Sequence, residues 1–201
     1  MGRPSEAKEK LLLVAFDLIW DQSYGSVSVE QICERAKVNK GSFYHFFPSK
    51  SDLAMEAYEE HWREKQHELD RIFSPQIPPL ERLELWCKHI YDRQKQKAQK
   101  YGHVCGCPYA SLGTELATQD EKIRAKTQQL VDRTLRYVES ALTDAKHQGV
   151  ANIDDPKLIA KRAYSMVLGT LLYAKIRNSL EVLDDLESSV MGVIGVRELA
   201  I

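Results

Sequence analysis

The sequence is short of the features that mark most specialised protein classes. It has four cysteines, Cys33, Cys87, Cys105 and Cys107, in 201 residues. They are too few and too irregularly spaced for a disulfide framework, so reduced thiols are expected. No uninterrupted apolar run reaches the roughly 18 residues that cross a bilayer, and the opening MGRPSEAKEK is polar with no cleavage-site pattern. The expected location is cytoplasmic, without membrane contact. Neither sign of charge is in excess: 28 Lys and Arg oppose 29 Asp and Glu, a net charge of -1. That excludes a globally basic nucleic-acid sponge or a polybasic membrane binder, and any contact with DNA must come from a focused surface. A phosphate-binding glycine loop, an HExxH helix and a Ser/His/Asp arrangement readable from local spacing are all missing, so neither catalysis, a metal nor a cofactor is expected. There is no internal repeat, and sustained strand-type alternation is absent.

What is present is helical periodicity along almost the whole chain, which predicts an all-α fold. A first helix starts near Ser5 and carries Leu12, Ala15, Phe16 and Ile19 on one face. Ser28 with Gln31 forms a capping box that opens a short helix to about Lys37, and Asn39 caps another that ends before Pro48. Ser49 with Asp52 opens a longer helix to about Phe73, and Ser74–Pro79 is a linker. A helix over about 80–97 follows. In YGHVCGCPYASLG three glycines and a proline argue against a regular helix. Long helices are expected from Asp120 to about Gly149, from Pro156 to about Asn178 behind an Asp155 cap, and over about 184–198. The expected division is a helix-turn-helix domain over 1–50 and a helical effector-binding and dimerisation domain over 51–201.

The stretch VNKGSFYHFFPSK, residues 38–50, packs aromatics into a segment too short to be a core helix alone. With the helix before it, it fits a helix-turn-helix, in which one helix braces and the next enters the major groove. On a helix starting at Lys40, residues 40, 41, 44 and 45 share one side, while Phe43, Phe46 and Phe47 turn toward the preceding helix. Lys40, Ser42, Tyr44 and His45 offer donors to phosphates and base edges, and Gly41 lets the backbone come close to the duplex. The alternative is that the Tyr44 and His45 rings only cover a small core. Residues 1–50 hold seven Lys or Arg against six Asp or Glu, so position rather than total charge must do the binding.

The run from Ser28 to Leu53, SVEQICERAKVNKGSFYHFFPSKSDL, resembles the DNA-binding signature of TetR-family transcriptional repressors. The resemblance implies an all-helical homodimer that binds double-stranded operator DNA and responds to a small-molecule effector. By it, Ser28, Lys40, Tyr44, His45 and Lys50 would contact phosphates, with Asn39, Lys40, Gly41 and Ser42 nearest the bases. Two positions depart from the pattern: Lys37 stands where glycine is usual, and Asn39 where serine is frequent.

In the rest of the chain Trp86, His89, Tyr109, Tyr137 and Tyr164 are either core residues or, in part, the lining of an effector cavity. The pattern Gly106-Cys107-Pro108 followed by Leu112, Glu115 and Leu116 is similar to one in TetR-family branches that include sensors of reactive electrophiles and small organic acids. Cys107 would then be a sensing thiol that Cys105 could resolve. A plain structural turn, or a metal site with His103, remains open beside it. A cysteine-based redox or metal-binding enzyme or sensor without DNA binding is the alternative to the repressor reading. Finally, Ile159, Ala163, Val167 and Leu171, with Val190, Val193, Ile194 and Arg197, form stripes expected either at a four-helix dimer interface or in the subunit's own core.

Overall fold

The computed structural model describes residues 6–195. Helices account for its regular structure, and no strand occurs among the described residues, as an all-α fold requires. In chain order they are α1 (Glu6–Asp21), α2 (Val29–Ala36), α3 (Lys40–Phe46), α4 (Lys50–Ile72), α5 (Pro79–Tyr101), α6 (Pro108–Leu116), α7 (Glu121–His147), α8 (Pro156–Arg177) and α9 (Leu186–Ile194), with a 3-10 turn at Glu181–Leu183 before the last. The expected Ser5 cap, Arg197 and the far end of the last helix lie outside the described residues.

The helices build two compact units. One takes the chain up to Lys65 together with Pro108–Leu130, and the other takes Gln66–Cys107 and the chain from Val131 onward. The expected division at residue 50 follows the end of the helix-turn-helix. Packing adds the first part of α4, all of α6 and the start of α7 to the same unit, because contacts rather than chain order define a compact body.

In the first unit α1 buries Leu11, Leu12, Ala15, Phe16, Ile19 and Trp20, and packs on α2, α3 and α6. The α2 cap is as expected: Ser28 Oγ accepts the Gln31 N–H at 3.2 Å, and Gln31 Oε1 accepts the Ser28 N–H at 2.7 Å. The helix ends at Lys37, whose φ of 55° is left-handed, with its N–H reaching Cys33 and Glu34 carbonyls. That conformation explains why glycine is usual there, and a lysine in its place costs about 1 kcal/mol. Asn39 Oδ1 accepts the Ser42 N–H at 2.8 Å to open α3, and Ser49 Oγ accepts the Asp52 N–H at 3.1 Å to open α4.

One expectation is overturned. Residues 108–113, part of the stretch read as loop, belong to α6. Pro108 opens that helix, where its missing N–H costs nothing. Gly113 sits in its middle because a Cβ there would stand 3.3 Å from Thr127 Oγ1 on α7. The glycine serves helix packing, and its low helical propensity is outweighed. Helix α5 also runs further than expected, through Lys97-Ala98-Gln99-Lys100, all good helix formers, until Gly102 caps it at φ 80°.

The second unit centres on α5, α8 and α9, with Leu83, Trp86, Cys87, Ala163, Val167, Leu171, Val190 and Ile194 buried. The Ser74–Pro79 linker is pinned by buried Arg82, which donates to Ile77 O at 2.7 Å and to Asp144 Oδ2 on α7 at 2.6 Å. Asp155 and Pro156 open α8 as expected, the carboxylate accepting the Leu158 N–H at 3.0 Å.

Candidate nucleic-acid interface and sensing region

Helix α3 is divided as its composition suggests. Phe43 and Phe47 are buried against the unit, Phe46 is half-buried, and the opposite side exposes Asn39, Lys40, Gly41, Tyr44 and His45, with Ser42 half-buried. Tyr44 is 58% exposed, its ring edge-on to Phe43 at 5.0 Å, so it stands outward on an aromatic base and is not a core lid. Gly41 has a local duty that its small size did not announce: a Cβ there would meet Asn39 Oδ1 at 3.2 Å and disturb the α3 cap.

Two lysines of the expected contact set, Lys40 and Lys50, are already engaged. Lys40 forms an ion pair with Glu30 of α2. Its hydrogen bond, with backbone and Ser28 contributions behind it, holds the Glu30 carboxyl down at about 2, and the pairing raises the lysine in turn. Lys50 is placed differently from the phosphate clamp expected of it. Its ammonium donates to Tyr24 O and Val27 O, both at 2.8 Å, and lies 3.9 Å from the centroid of the Tyr24 ring. Burial pushes the Lys50 ammonium below its usual value, with Glu115 opposing. From α6, Glu115 accepts the N–H groups of Tyr24 and Gly25 at 2.9 and 2.6 Å. Sequence reasoning noted Glu115 only as part of a pattern; no local signal couples it to a turn 90 residues away.

Of the aromatic effector candidates, Trp86, Tyr137 and Tyr164 belong to the second unit. The Trp86 and Tyr164 rings are stacked at 6.3 Å and 11°, and Phe73, which the sequence reading did not single out, joins Trp86 at 6.3 Å to Tyr137 at 5.4 Å. Tyr137 donates its hydroxyl to Asp70, and burial with that carboxylate drives the phenol upward. His89 Nε2 lies 3.3 Å from Glu68. Tyr109 does not join them. Because α6 starts at Pro108, its next residue belongs to the first unit, where Tyr109 packs beside Tyr58, His61 and Trp62 with the Lys65 ammonium 4.9 Å from its ring.

The cysteine loop is firmly held. Val104 N–H donates to Asn178 Oδ1 at 2.9 Å, and Gln94 bonds both backbone groups of Gly106. Gly106 has φ 73°, and a Cβ on it would stand 3.4 Å from Leu171 O and from the Lys175 side chain on α8. Cys105 is buried and Cys107 half-buried. Among the described residues, Cys107 belongs to no cluster of three metal-ligating side chains. Burial lifts the Cys87 thiol to about 12, with Glu187 and Glu84 adding to the effect.

The stripes on α8 and α9, expected at an interface or in the subunit's own core, are turned mostly inward. Ala163, Val167, Leu171, Val190 and Ile194 are buried within their own unit, while Ile159 and Val193 are half-buried. The exposed apolar side chains of α8 are Leu158, Met166, Leu172, Tyr173 and Ile176, the last 71% exposed. Met166, Gly169 and Tyr173, with Val182 and Val193, line an open groove of about 930 Å³. No described helix is long and apolar enough to cross a membrane.

The sequence matches two family models: bacterial regulatory proteins, tetR family, over residues 11–57, and tetracyclin repressor-like, C-terminal domain, over residues 79–190. It is 29% identical over 183 residues to an uncharacterized HTH-type transcriptional regulator in the lacX 3' region of Lactococcus lactis subsp. lactis, covering 88% of this chain and 87% of that protein. The transcriptional regulator AcuR of Cereibacter sphaeroides is 28% identical over 186 residues, with 87% and 82% covered. The HTH-type transcriptional repressor NemR of Escherichia coli K12 is 25% identical over 195 residues, with 94% of each covered. Among solved structures, the reduced form of E. coli NemR superposes with a TM-score of 0.82 at 22% identity, covering 97% of this chain and 100% of that one. A regulatory protein TetR from Rhodobacter sphaeroides superposes equally well, TM-score 0.82 at 26% identity, covering 92% and 97%.

Proposed function

Because this chain belongs to the TetR family of bacterial transcriptional regulators, we propose that it is a dimeric, ligand-responsive repressor of a near-palindromic operator. The observation that carries this is the division of α3, with Phe43 and Phe47 buried and Asn39, Lys40, Gly41, Tyr44 and His45 outward. A helix of two turns can be held rigid only by such an anchor, and its outer side offers the donors that phosphates and base edges accept. Ser28, the half-buried cap of α2, is kept in the proposed set of phosphate contacts. Two copies related by a two-fold axis place one such helix in each of two successive major grooves, which sets the half-site spacing. The exposed apolar face of α8 around Met166, Tyr173 and Ile176, continued by Val193, supports pairing of two copies through α8 and α9.

Release is assigned to an effector that favours a state in which the two recognition helices no longer fit the half-sites; equal affinity for both states would shift nothing. Helix α4 contributes residues to both units and provides a continuous path for that change. Two effector chemistries are supported. The stacked aromatics of the second unit favour a small organic molecule, and the half-exposed Cys107 beside buried Cys105 favours an electrophile or oxidant. The repressor in the name of one relative supports the sign of regulation.

The test is binding of the DNA upstream of the protein's own gene, by gel shift over a range of salt. Specific, salt-dependent retention is expected, and its absence overturns the reading and favours a thiol-based enzyme or sensor. Treatment with N-ethylmaleimide then separates the effectors. Release of the wild type but not of Cys107→Ser assigns sensing to the thiol, release of both assigns it to another cysteine, and release of neither favours a reversibly bound molecule.

A further inference from the structure

The turn between α1 and α2 has little backbone hydrogen bonding of its own. The bond across it, Val27 N–H to Tyr24 O, is stretched to 3.4 Å, and the Ser26 N–H goes to the Ser23 hydroxyl at 3.2 Å. The turn is instead held from outside the helix-turn-helix by two side chains of opposite charge. The Glu115 carboxylate, from α6, takes the N–H groups of Tyr24 and Gly25, while the Lys50 ammonium, from α4, takes the carbonyls of Tyr24 and Val27. Each ion meets only the groups it can satisfy, since a carboxylate accepts and an ammonium donates. Gly25 belongs to the same arrangement: a Cβ there would stand 3.0 Å from Glu115 Oε1, in the place the carboxylate needs. One residue past Lys50, Ser51 donates to Asp120 Oδ2 at 2.8 Å, and Asp120 Oδ1 accepts the Ile123 N–H at 3.1 Å, which ties the start of α7 to α4 beside the turn.

The turn leads directly into Ser28, the cap of α2, and α2 carries the Glu30 that pairs with Lys40 on the recognition face. We infer that Glu115 is a positioning residue for DNA recognition: its carboxylate latches the α1–α2 turn and so sets α2 and α3 in the geometry that fits the duplex, although Glu115 is not among the residues proposed to touch DNA. The inference rests on the DNA-binding reading above. It adds that operator affinity depends on α6, a helix outside the helix-turn-helix, through two hydrogen bonds from backbone to carboxylate.

The experiment uses a duplex enriched from a random library by the wild type. Glu115→Gln keeps the size of the side chain but leaves one acceptor and turns an NH2 toward a backbone N–H. It should weaken binding of the selected duplex about tenfold, the loss expected for one charge-assisted bond. Binding to a random duplex should change less than about twofold, because Lys40, Tyr44 and His45 still meet phosphates. Hydrogen exchange at the Tyr24 and Gly25 amides should accelerate. Gly25→Ala is an independent route to the same latch and should weaken the selected duplex a few-fold. Added to Glu115→Ala it should do nothing more, since no carboxylate is left to push, and that non-additivity is the signature of a shared mechanism.

If Glu115→Gln exchanges fast at Tyr24 and Gly25 yet binds the selected duplex as the wild type does, the latch is irrelevant to recognition and the inference falls. Equal losses on selected and random duplexes, or additive effects of Gly25→Ala and Glu115→Ala, overturn it as well. A wild type that enriches no duplex removes the DNA-binding reading, and this inference with it. Binding by the wild type with unaffected variants removes the latch alone.

Discussion

Gln94 holds Gly106 at both ends of its side-chain amide: Nε2 donates to the Gly106 carbonyl at 3.1 Å and Oε1 accepts the Gly106 N–H at 3.0 Å, with both residues buried. A side-chain amide carries a donor and an acceptor side by side, so one residue serves both buried backbone groups of Gly106 and holds the cysteine loop.

Replacing Gln94 by leucine should therefore leave two buried backbone groups without partners. The expected cost is about 2–4 kcal/mol, a fall in melting temperature on the order of 10 °C for a chain of this size. Thermal unfolding followed by circular dichroism checks it. A melting point within about 2 °C of the wild type would mean that water replaces the amide freely.

Lys40, proposed to meet DNA, is paired with Glu30, which would compete with phosphate for it. The Lys40 hydrogen bond holds the Glu30 carboxyl near 2, so Glu30 stays ionised at working pH and is protonated only as pH falls through that value. Glu30→Gln should release the ammonium to phosphate, tighten binding to all duplexes and steepen the salt dependence by up to about one unit. Titrations at several salt concentrations measure both quantities, and unchanged slopes would show that Lys40 stays away from the backbone of the duplex.

Tyr44 projects from Phe43 into solvent, so its hydroxyl can be removed without touching the core. Tyr44→Phe should keep the melting temperature and weaken DNA binding by about 1 kcal/mol, roughly fivefold, on selected and random sequences alike. Loss confined to one sequence would reassign the hydroxyl to a base edge.

The two faces of α8 should respond oppositely to charge. Tyr173→Glu or Ile176→Glu lies on the exposed face and should yield a folded monomer by analytical ultracentrifugation. Val167→Asp, at a buried position, should destabilise the subunit by several kcal/mol and lower its melting temperature before any change of assembly is read. A folded, fully dimeric Ile176→Glu, Tyr173→Glu double variant would exclude this face from the interface.

The thiols should separate by access. Cys33, Cys87 and Cys105 are buried, and burial raises the Cys33 thiol and takes that of Cys87 to about 12, so neither presents thiolate near neutral pH. Brief treatment of the native protein with iodoacetamide should label Cys107 first, read by peptide mass spectrometry. Labelling of Cys105 ahead of Cys107 would show that the loop opens in solution.

Short-range rules were enough for much of this molecule. The Ser28 and Asn39 caps, the ends of α3 and the Asp155-Pro156 start of α8 all follow from side chains within four residues of one another, where sterics and capping act without help from the rest of the chain. Three things were decided by tertiary structure. Residues 108–113, read as loop, belong to a helix that buries Tyr109, Leu112 and Leu116, a burial that outweighs the weak helical preference of Gly113, where a Cβ would crowd Thr127. The inner face of α8 proved to be the one with Val167 and Leu171, and the outer the one with Met166, Tyr173 and Ile176. Apolar residues surround that helix, so periodicity could not say which side its neighbours would cover. And Glu115 met Tyr24 and Gly25 across 90 residues of chain because a carboxylate will satisfy whatever backbone donors folding brings to it, and only the fold chooses them.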